Sequence, residues 1–237
     1  MWETNLRDYI DWRNDMDKLR TIPNGAPFIF LFSGGKDTAL ALSIILEGGA
    51  KPIELLHCVD SENEASLFHE QRKEIVNAQA SKLGIPIRYL PYKWWVRWDK
   101  IVKLYAEYRK KGVKYVAFGD LNSEGNIDFQ VKLCISAGLI PCFPLCFIPY
   151  ERLIKEIENR KIKSIITTIN DGAIDSSFLG KCFDKEIYDR FKKLDIDPFG
   201  EAGEFHTTLV DANCFSEAIE YRYTIIDERK ICIEIAE

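Results

Sequence analysis

The stretch that decides the fold is Phe28-Ile29-Phe30-Leu31-Phe32, which runs directly into Ser33-Gly34-Gly35-Lys36-Asp37-Thr38. Five consecutive apolar residues without a charge predict a strand that is buried on both faces, as strands of parallel sheets are. The run from Ala39 to Leu46, mostly Ala, Leu and Ile, predicts a helix of about two to three turns. The polar residues between the two runs therefore form a turn at the carboxyl end of a core strand.

Residues 33–38, called the SGGKDT loop below, have the composition of an anion-binding turn. The first N–H groups of a helix have no partner within the helix and carry the positive end of its dipole. Two glycines let the backbone approach an anion, and Lys36 adds a positive charge. Ser33, Asp37 and Thr38 offer capping groups or hydroxyls. From the residues alone, a phosphate-binding loop and an ordinary capped turn are equally open.

Strands alternate with helices after the SGGKDT loop. The predicted strands are 53–59, 85–90 and 115–118, and the predicted helices are 66–83 and 96–111. This alternation is typical of an α/β fold with a parallel sheet covered on both faces. Ligands of such sheets bind beyond the carboxyl ends of the strands, so we expect the SGGKDT loop, His57 to Asp60, and Gly119-Asp120 at one edge.

The two ends of the chain differ from this middle part. An amphipathic helix is predicted over residues 2–20, before the break at Pro23-Asn24-Gly25. The later elements are predicted as helices at 127–137 and 150–160, strands at 139–143 and 164–169, and strand-like segments after Thr207. A soft boundary near residue 122 divides the chain into domains 1–122 and 123–237.

Composition excludes several classes of protein. The 237 residues are 46% apolar and 29% charged, which is ordinary for a globular protein. No apolar run approaches the roughly 20 residues of a membrane span, and Met1 to Thr4 lack a signal-peptide core, so we expect a soluble, cytoplasmic protein without membrane contact. A net charge of −5 argues against a nucleic-acid partner. Seven cysteines without a Cys-x-x-Cys pair indicate neither disulfides nor a zinc site.

A second polar segment, Gly200 to Thr207, contains two carboxylates, an imidazole and a hydroxyl within eight residues. Glu201 and Glu204 could hold ammonium, accept its proton or bind magnesium, and His206 could act as an acid or base. The alternative is a polar turn before the strand that begins at Thr207. Asp37 and Asp120 are candidate magnesium or ribose contacts, with a helix cap and a strand-end turn as their alternatives.

The SGGKDT loop resembles the pyrophosphate-binding SGGKDS loop of the ATP pyrophosphatases of the adenine nucleotide alpha hydrolase (PP-loop, HUP-type) superfamily. Further segments resemble the diphthine–ammonia ligase family within that superfamily. They are Ser61-Glu62-Asn63-Glu64, Leu83-Gly84-Ile85-Pro86, Ile174 to Lys181, and Gly200 to Thr207. The resemblance implies a Rossmann-like nucleotide domain, a smaller C-terminal α/β substrate domain, and ATP and Mg²⁺ as cofactors. It also implies adenylation of a carboxylate, attack by ammonia, a possible homodimer, and diphthine on elongation factor 2 as the acceptor.

The residues and the resemblance together predict roles for individual side chains. The predicted catalytic residues are Lys36, Glu201, Glu204 and His206. The predicted nucleotide contacts are Ser33, Gly34, Gly35, Lys36, Asp37, Thr38, His57, Gly119 and Asp120, with Asp37 and Asp120 also as metal ligands. The predicted substrate contacts are Gly203, Thr207 and Cys146. For His57 and His69 a structural role is favoured over a catalytic one.

Departures from the family pattern leave two alternatives open. Ser123 to Lys132 replaces a basic Tyr-Gln-Arg type helix, and Trp94, Trp95 and Trp98 replace an acidic segment, with core packing favoured over a pocket lining for the tryptophans. One alternative is a sulfur transferase that uses Cys58, Cys142 or Cys146 as the sulfur carrier. The other is a nucleotide-binding sensor without catalysis.

Overall fold

The computed structural model describes residues 12–59, 71–91 and 97–236. The first part of the predicted N-terminal helix, the Ser61-Glu62-Asn63-Glu64 segment, His69, Trp94 and Trp95 lie outside the described residues. Within them, the N-terminal segment forms a helical turn, α1 (Trp12–Asp15), and a 3-10 turn at Met16–Leu19. Trp12, Met16 and Leu19 are buried, so this segment packs on the main body.

The first sheet has five parallel strands in the order β3-β2-β1-β4-β5. On the central strand, Phe28 and Phe30 pack in one apolar cluster and Ile29 in another, because successive side chains of a strand point to opposite faces. The predicted parallel sheet with both faces buried is therefore confirmed. Its strands are β1 (Pro27–Leu31), β2 (Lys51–Val59), β3 (Ile87–Pro91), β4 (Tyr115–Ala117) and β5 (Ile140–Cys142).

Helices cover both faces of this sheet. They are α2 (Lys36–Glu47), α3 (Lys73–Leu83), α4 (Trp98–Lys110) and α5 (Glu124–Ala137). Leu40 of α2 belongs to the cluster of Phe28 and Phe30, whereas Ile101 of α4 and Ile127 of α5 belong to that of Ile29. Gly84, predicted as the end of a helix, has a left-handed backbone and caps α3.

The second sheet has four antiparallel strands in the order β7-β6-β9-β8. The strands of this sheet and the helices between them are, in chain order, α6 (Tyr150–Asn159), β6 (Lys163–Ile169), a 3-10 turn (Ser176–Phe178), α7 (Lys185–Phe191), β7 (Phe205–Asp211), β8 (Tyr221–Asp227) and β9 (Lys230–Ile235). The fold is thus α/β, with a parallel sheet followed by a smaller antiparallel one. No helix of the described residues is both long and apolar enough to cross a membrane.

The two sheets share one apolar core. A single cluster contains Phe30 of β1 together with Ile154 of α6 and Phe205 of β7. The boundary predicted near residue 122 stays a prediction, but the sheets divide later in the chain. Because β5 pairs with β4, the segment from residue 124 to Cys142 completes the first sheet, and the second sheet begins at Lys163.

The predicted core packing of the tryptophans is wrong for Trp98, the one of the three within the described residues. Trp98 was expected in the core, but it opens helix α4 and leaves 40% of its surface exposed. Its ring meets Phe129 of α5 edge to face, with the centroids 5.6 Å apart. The tryptophan thus lies on the surface and supports a helix that reaches the cavity described next.

Candidate active site

A cavity of about 480 Å³ opens at the carboxyl ends of β1, β2 and β4. Opposite these strand ends, its wall is formed by residues 200–203, called the acidic loop below, and by the start of β7. The predicted site residues on its wall are Ser33, Lys36, Asp37, Thr38, His57, Gly119, Asp120, Glu201, Gly203, His206 and Thr207. The SGGKDT loop, His57 and Gly119-Asp120 thus lie together beyond the strand ends, as expected, and Gly200 to Thr207 faces them.

Three hydrogen bonds to one carbonyl group fix the backbone of the SGGKDT loop. Gly34 has a left-handed φ of +84°, and its carbonyl accepts hydrogen bonds from Leu209 N (2.8 Å), Gln79 Nε2 (3.1 Å) and Gln71 Nε2 (3.4 Å). In a trans peptide the carbonyl and the following N–H point in opposite directions. The Gly35 N–H, which points away from these three donors, donates to Ser33 Oγ at 3.4 Å.

Gln71 and Gln79 were not predicted as site residues. Both are buried, and they also donate to the β7 carbonyls of Thr207 (3.2 Å) and Leu209 (2.8 Å). A signal was present in the sequence, because the two glutamines are spaced four residues on either side of the buried Ile75. A polar residue in step with the apolar face of a helix needs a buried partner.

Lys36 is held mostly by residues of the second half of the chain. Its Nζ donates to Asp37 Oδ2 (2.8 Å) and to the Phe199 carbonyl (2.5 Å). The rings of Phe183, Phe199 and Phe205 surround the ammonium at 5.1 to 5.4 Å from their centroids. The Lys36 backbone N–H donates to Thr207 Oγ1 (3.1 Å). The loop lysine therefore joins the two halves beside the cavity.

Three carboxylates face this cavity, and burial raises the pKa of each. Burial raises the pKa of Asp37, against the opposing effect of Lys36. Burial also raises the pKa of Asp120 to about 6, with a smaller contribution from the Asp37 charge. For Glu201 burial again raises the pKa first, and Asp37 and Asp120 add to it. A negative, partly desolvated wall of this kind favours a cation or a proton donor.

The two glutamates near the acidic loop point in different directions. Glu201 Oε1 accepts from the backbone N–H groups of Asn122 (3.2 Å) and Ser123 (3.3 Å), at the cavity. Glu204 accepts instead from Asp197 N (3.0 Å) and Ala202 N (3.1 Å) and is not on the cavity wall. The catalytic role of Glu204 stays a prediction, but its observed contacts position the acidic loop.

Three other predicted site residues, Gly34, Gly35 and Cys146, also do not line the cavity. Gly34 and Gly35 belong to the SGGKDT loop but are not among the residues that line the cavity. Cys146 is fully buried, and its Sγ donates to the Asp120 carbonyl at 3.2 Å. A direct substrate contact by Cys146 is therefore not supported by its position, although the thiol helps to fix the strand end that carries Asp120.

Both described histidines of the site are neutral near pH 7. Burial lowers the pKa of His206 to about 4, with a further contribution from Lys36. Burial also lowers the pKa of His57 to about 4, against the effect of a hydrogen bond to the Phe32 carbonyl. Neutral imidazoles can accept a proton or a hydrogen bond, so the site has basic groups beside its acidic ones.

Two domain matches cover most of the chain. Residues 27–141 match the diphthamide synthase N-terminal domain, and residues 149–232 match the diphthamide synthase C-terminal domain. The chain belongs to the diphthamide synthase family. Its SGGKDT loop is accordingly the loop of an ATP-utilising PP-loop protein.

One solved structure to which the chain is similar is the U34-tRNA thiolase NcsA from Methanococcus maripaludis with its [4Fe-4S] cluster. Its TM-score is 0.39 and its identity 14%, over 62% of this diphthamide synthase family chain and 61% of the thiolase chain. The match therefore spans less than two thirds of the thiolase. No curated protein matches the chain in sequence.

The cysteines of this diphthamide synthase family member are poorly suited to sulfur transfer. Cys58 lies on the cavity wall, but burial raises its pKa to about 12. Burial also raises the pKa values of Cys142 and Cys146 above their usual range. Because the thiolate is the reactive form, burial disfavours the reactive form of these three thiols.

The site residues fit a magnesium ion that is shared with phosphate groups. Asp37 Oδ1 is buried without a partner, and Asp120 lies across the same cavity. Mg²⁺ commonly takes one or two carboxylates together with substrate phosphates and water. Within the described ranges, no group of three or more His, Cys, Asp and Glu side chains is arranged to hold a metal by itself.

Proposed function

We propose that this protein is an ATP-dependent, AMP-forming ligase that activates a carboxylate and transfers ammonia to it, releasing AMP and pyrophosphate. Diphthine on elongation factor 2 is the proposed acceptor. The observation that carries this proposal is that the SGGKDT loop and the acidic loop face each other across one cavity. Residues suited to phosphate and residues suited to ammonium thus line the same space.

The phosphate end of the cavity is built by the start of α2. The helix dipole, the loop backbone and the hydroxyls of Ser33 and Thr38 suit a pyrophosphate leaving group. Lys36 places a positive charge beside them, and its contacts with Phe199 keep that charge at the boundary of the two halves. Asp37 and Asp120 would hold Mg²⁺, which supplies charge neutralisation for the phosphates when it is bound.

The opposite end supports ammonia transfer. The Glu201 carboxylate is oriented by two backbone N–H groups, and its raised pKa favours taking a proton from ammonium. The nitrogen then bonds to the activated acyl carbon, the bond from that carbon to the AMP oxygen breaks, and AMP leaves with the bonding electrons. His206, neutral and beside Lys36, is placed to accept the second proton.

Product analysis tests this function. The full chain would be incubated with ATP, Mg²⁺ and ammonium, with diphthine-bearing elongation factor 2 beside a panel of small carboxylic acids. We expect AMP and pyrophosphate only when the acceptor is present, and an amide in place of the carboxylate by mass spectrometry. Formation of ADP and phosphate would contradict the proposal.

Two glutamate variants sharpen the test. Glu201→Gln keeps the shape of the side chain but removes its charge, so we expect loss of amide formation. Glu217→Gln is the matched control, because Glu217 lies on the surface in an ion pair with Lys82. Equal activity of the two variants would remove Glu201 from the mechanism.

The sulfur-transfer alternative has its own test. Because burial keeps the thiols protonated, serine variants of Cys58, Cys142 and Cys146 are expected to retain amide formation. A sulfur-containing product that disappears in any of these variants would favour the transferase. Tight ATP binding without turnover in every acceptor assay would favour the sensor.

A further inference from the structure

Three buried polar atoms on the cavity wall have no hydrogen-bond partner among the described residues, namely Asp37 Oδ1, Gln130 Oε1 and His57 Nε2. His57 lies near the end of β2, with 1% of its surface exposed, and lines the cavity. Its Nε2 has no hydrogen-bond partner among the described residues. A buried polar atom of this kind is unfavourable unless something else supplies the missing bond.

The neighbouring contacts determine which nitrogen carries the hydrogen. Nδ1 lies 2.7 Å from the Phe32 carbonyl, which can only accept, so Nδ1 is the donor. Since the ring is neutral, Nε2 keeps its lone pair and can only accept. The empty partner position therefore calls for an N–H or O–H group.

The ring cannot turn without losing these contacts. Rotation by half a turn would bring a ring carbon to the Phe32 carbonyl and break that bond. On another side the ring meets Tyr89 edge to face, with centroids 5.8 Å apart. Tyr89 is itself held by its hydroxyl, which donates to Asn77 Oδ1 at 2.7 Å. The direction of the Nε2 lone pair is thus built into the fold.

The walls near His57 suit a flat, largely apolar group. Leu56 and Cys58 are its chain neighbours, Leu31 pairs with Leu56 across the sheet, and all three line the cavity, as does Phe129. The charged phosphate contacts belong to the SGGKDT loop at the end of β1. A nucleotide with its phosphates at that loop would present its base or its ribose to this part of the wall.

We infer that His57 selects the nucleotide by accepting, at Nε2, a hydrogen bond from the exocyclic amine of adenine. This inference rests on the proposed function, because it takes ATP as the substrate. A purine with a carbonyl at the same ring position would place an acceptor against the Nε2 acceptor. His57 thus acts as a specificity-determining residue that favours adenine over oxopurines.

Two variants separate this role from a merely structural one. In His57→Asn the side-chain amide can still donate to the Phe32 carbonyl, because its nitrogen takes the place of Nδ1, but nothing replaces Nε2. In His57→Gln the amide end reaches the place of Nε2 and offers an acceptor there, while the bond to Phe32 is lost. If His57 is only structural, His57→Gln should weaken ATP binding more than His57→Asn does. If His57 selects adenine, His57→Asn should weaken ATP binding more.

The measurement is calorimetric binding of three nucleotides to the full chain. They are ATP, purine riboside triphosphate, which lacks the exocyclic amine, and 2′-deoxy-ATP. For the wild type we expect ATP to bind about 5- to 100-fold more tightly than purine riboside triphosphate. His57→Asn should bind the two alike, and His57→Gln should keep a preference for ATP.

The other outcomes have distinct meanings. If His57→Asn keeps the full preference for the amine, the inference is overturned while the proposed function stands. If it loses instead the preference for ATP over 2′-deoxy-ATP, the donor is a ribose hydroxyl and the base assignment is overturned. If the wild type binds none of the three nucleotides, the proposed function fails and this inference fails with it.

Discussion

In the first sheet, Phe30 on the central strand has no exposed surface, whereas in the second sheet Ile225 on the edge strand leaves 70% exposed. The parallel sheet is covered by helices on both faces, as connections between parallel strands require. The antiparallel sheet needs no such cover, and its edge strand β8 lies mostly in solvent. The first sheet is therefore buried on both faces, whereas one edge of the second sheet is open to solvent.

The second sheet nevertheless completes the site through one strand. On β7, Leu209 donates to the Gly34 carbonyl and Thr207 accepts from the Lys36 N–H. This strand lies at the opposite edge of the sheet from β8. The comparison shows that one edge of the second sheet builds the cavity, whereas the other is exposed and makes no contact with it.

The largest expected effect is the difference in unfolding free energy between a core substitution in the first sheet and an edge substitution in the second. Phe30→Ala should reduce the free energy of unfolding by about 3–5 kcal/mol, because it leaves a cavity in a closed core. Ile225→Ala, its matched partner on β8, should change it by no more than about 0.5 kcal/mol. Urea unfolding of both variants measures this difference. A large loss from Ile225→Ala would mean that β8 is covered in solution.

Removal of the loop charge should have the next largest effect. We expect Lys36→Met to lower acceptor-dependent pyrophosphate release by about 10²–10³-fold, because the developing negative charge loses the positive charge of the loop. Lys163→Met is the control, since Lys163 pairs with Asp211 on the surface of the second sheet. Pyrophosphate release at the wild-type rate in Lys36→Met would contradict the role of the loop.

A pair of glycines tests the support behind the SGGKDT loop. Gly34 and Gly25 both have a left-handed φ, +84° and +73°. A Cβ on Gly34 would lie 2.6 Å from Gln79 Oε1, whereas one on Gly25 would have no neighbour within 4 Å. Gly34→Ala should therefore cost about 1–3 kcal/mol more of unfolding free energy than Gly25→Ala.

The double variant Gly34→Ala with Gln79→Ala supplies the control for that comparison. Because Gln79→Ala removes the contact at 2.6 Å, Gly34→Ala should cost less unfolding free energy in the Gln79→Ala background than in the wild type. An equal cost in both backgrounds would mean that the clash with Gln79 is not its cause.

The smallest expected effect is a pH-dependent gain in stability from Asp120→Asn. Burial raises the pKa of Asp120 from 3.8 to about 6, so the folded state opposes ionisation and the wild type loses stability as the pH rises through that range. The asparagine variant should be more stable by about 1–2 kcal/mol at pH 8, with the difference vanishing near pH 4.

Thermal unfolding at pH 8, 6 and 4 checks this sign. The same profile in Asp211→Asn would show that the effect does not come from burial at the cavity, because Asp211 lies in a surface ion pair. A difference that grows toward acid would contradict the raised pKa of Asp120.

The acidic loop illustrates where prediction from sequence stopped. Glu201 and Glu204 are three residues apart and were assigned similar roles, but only Glu201 lies on the cavity wall. Gly200 and Gly203, with φ of +74° and +89°, turn the backbone between them. The direction of each carboxylate depends on contacts with Asn122 and Asp197, which the local sequence does not contain.

Local patterns were sufficient for β1, the SGGKDT loop and α2, because five apolar residues, a turn and a helical run determine one another over short range. The alternation of later strands and helices was also sufficient to predict the parallel sheet. Only the tertiary structure decided the role of Gln71 and Gln79, the surroundings of Lys36 and the free acceptor of His57. These features depend on long-range contacts between residues 25 to 171 positions apart, and such contacts form only when the core brings the strand ends together.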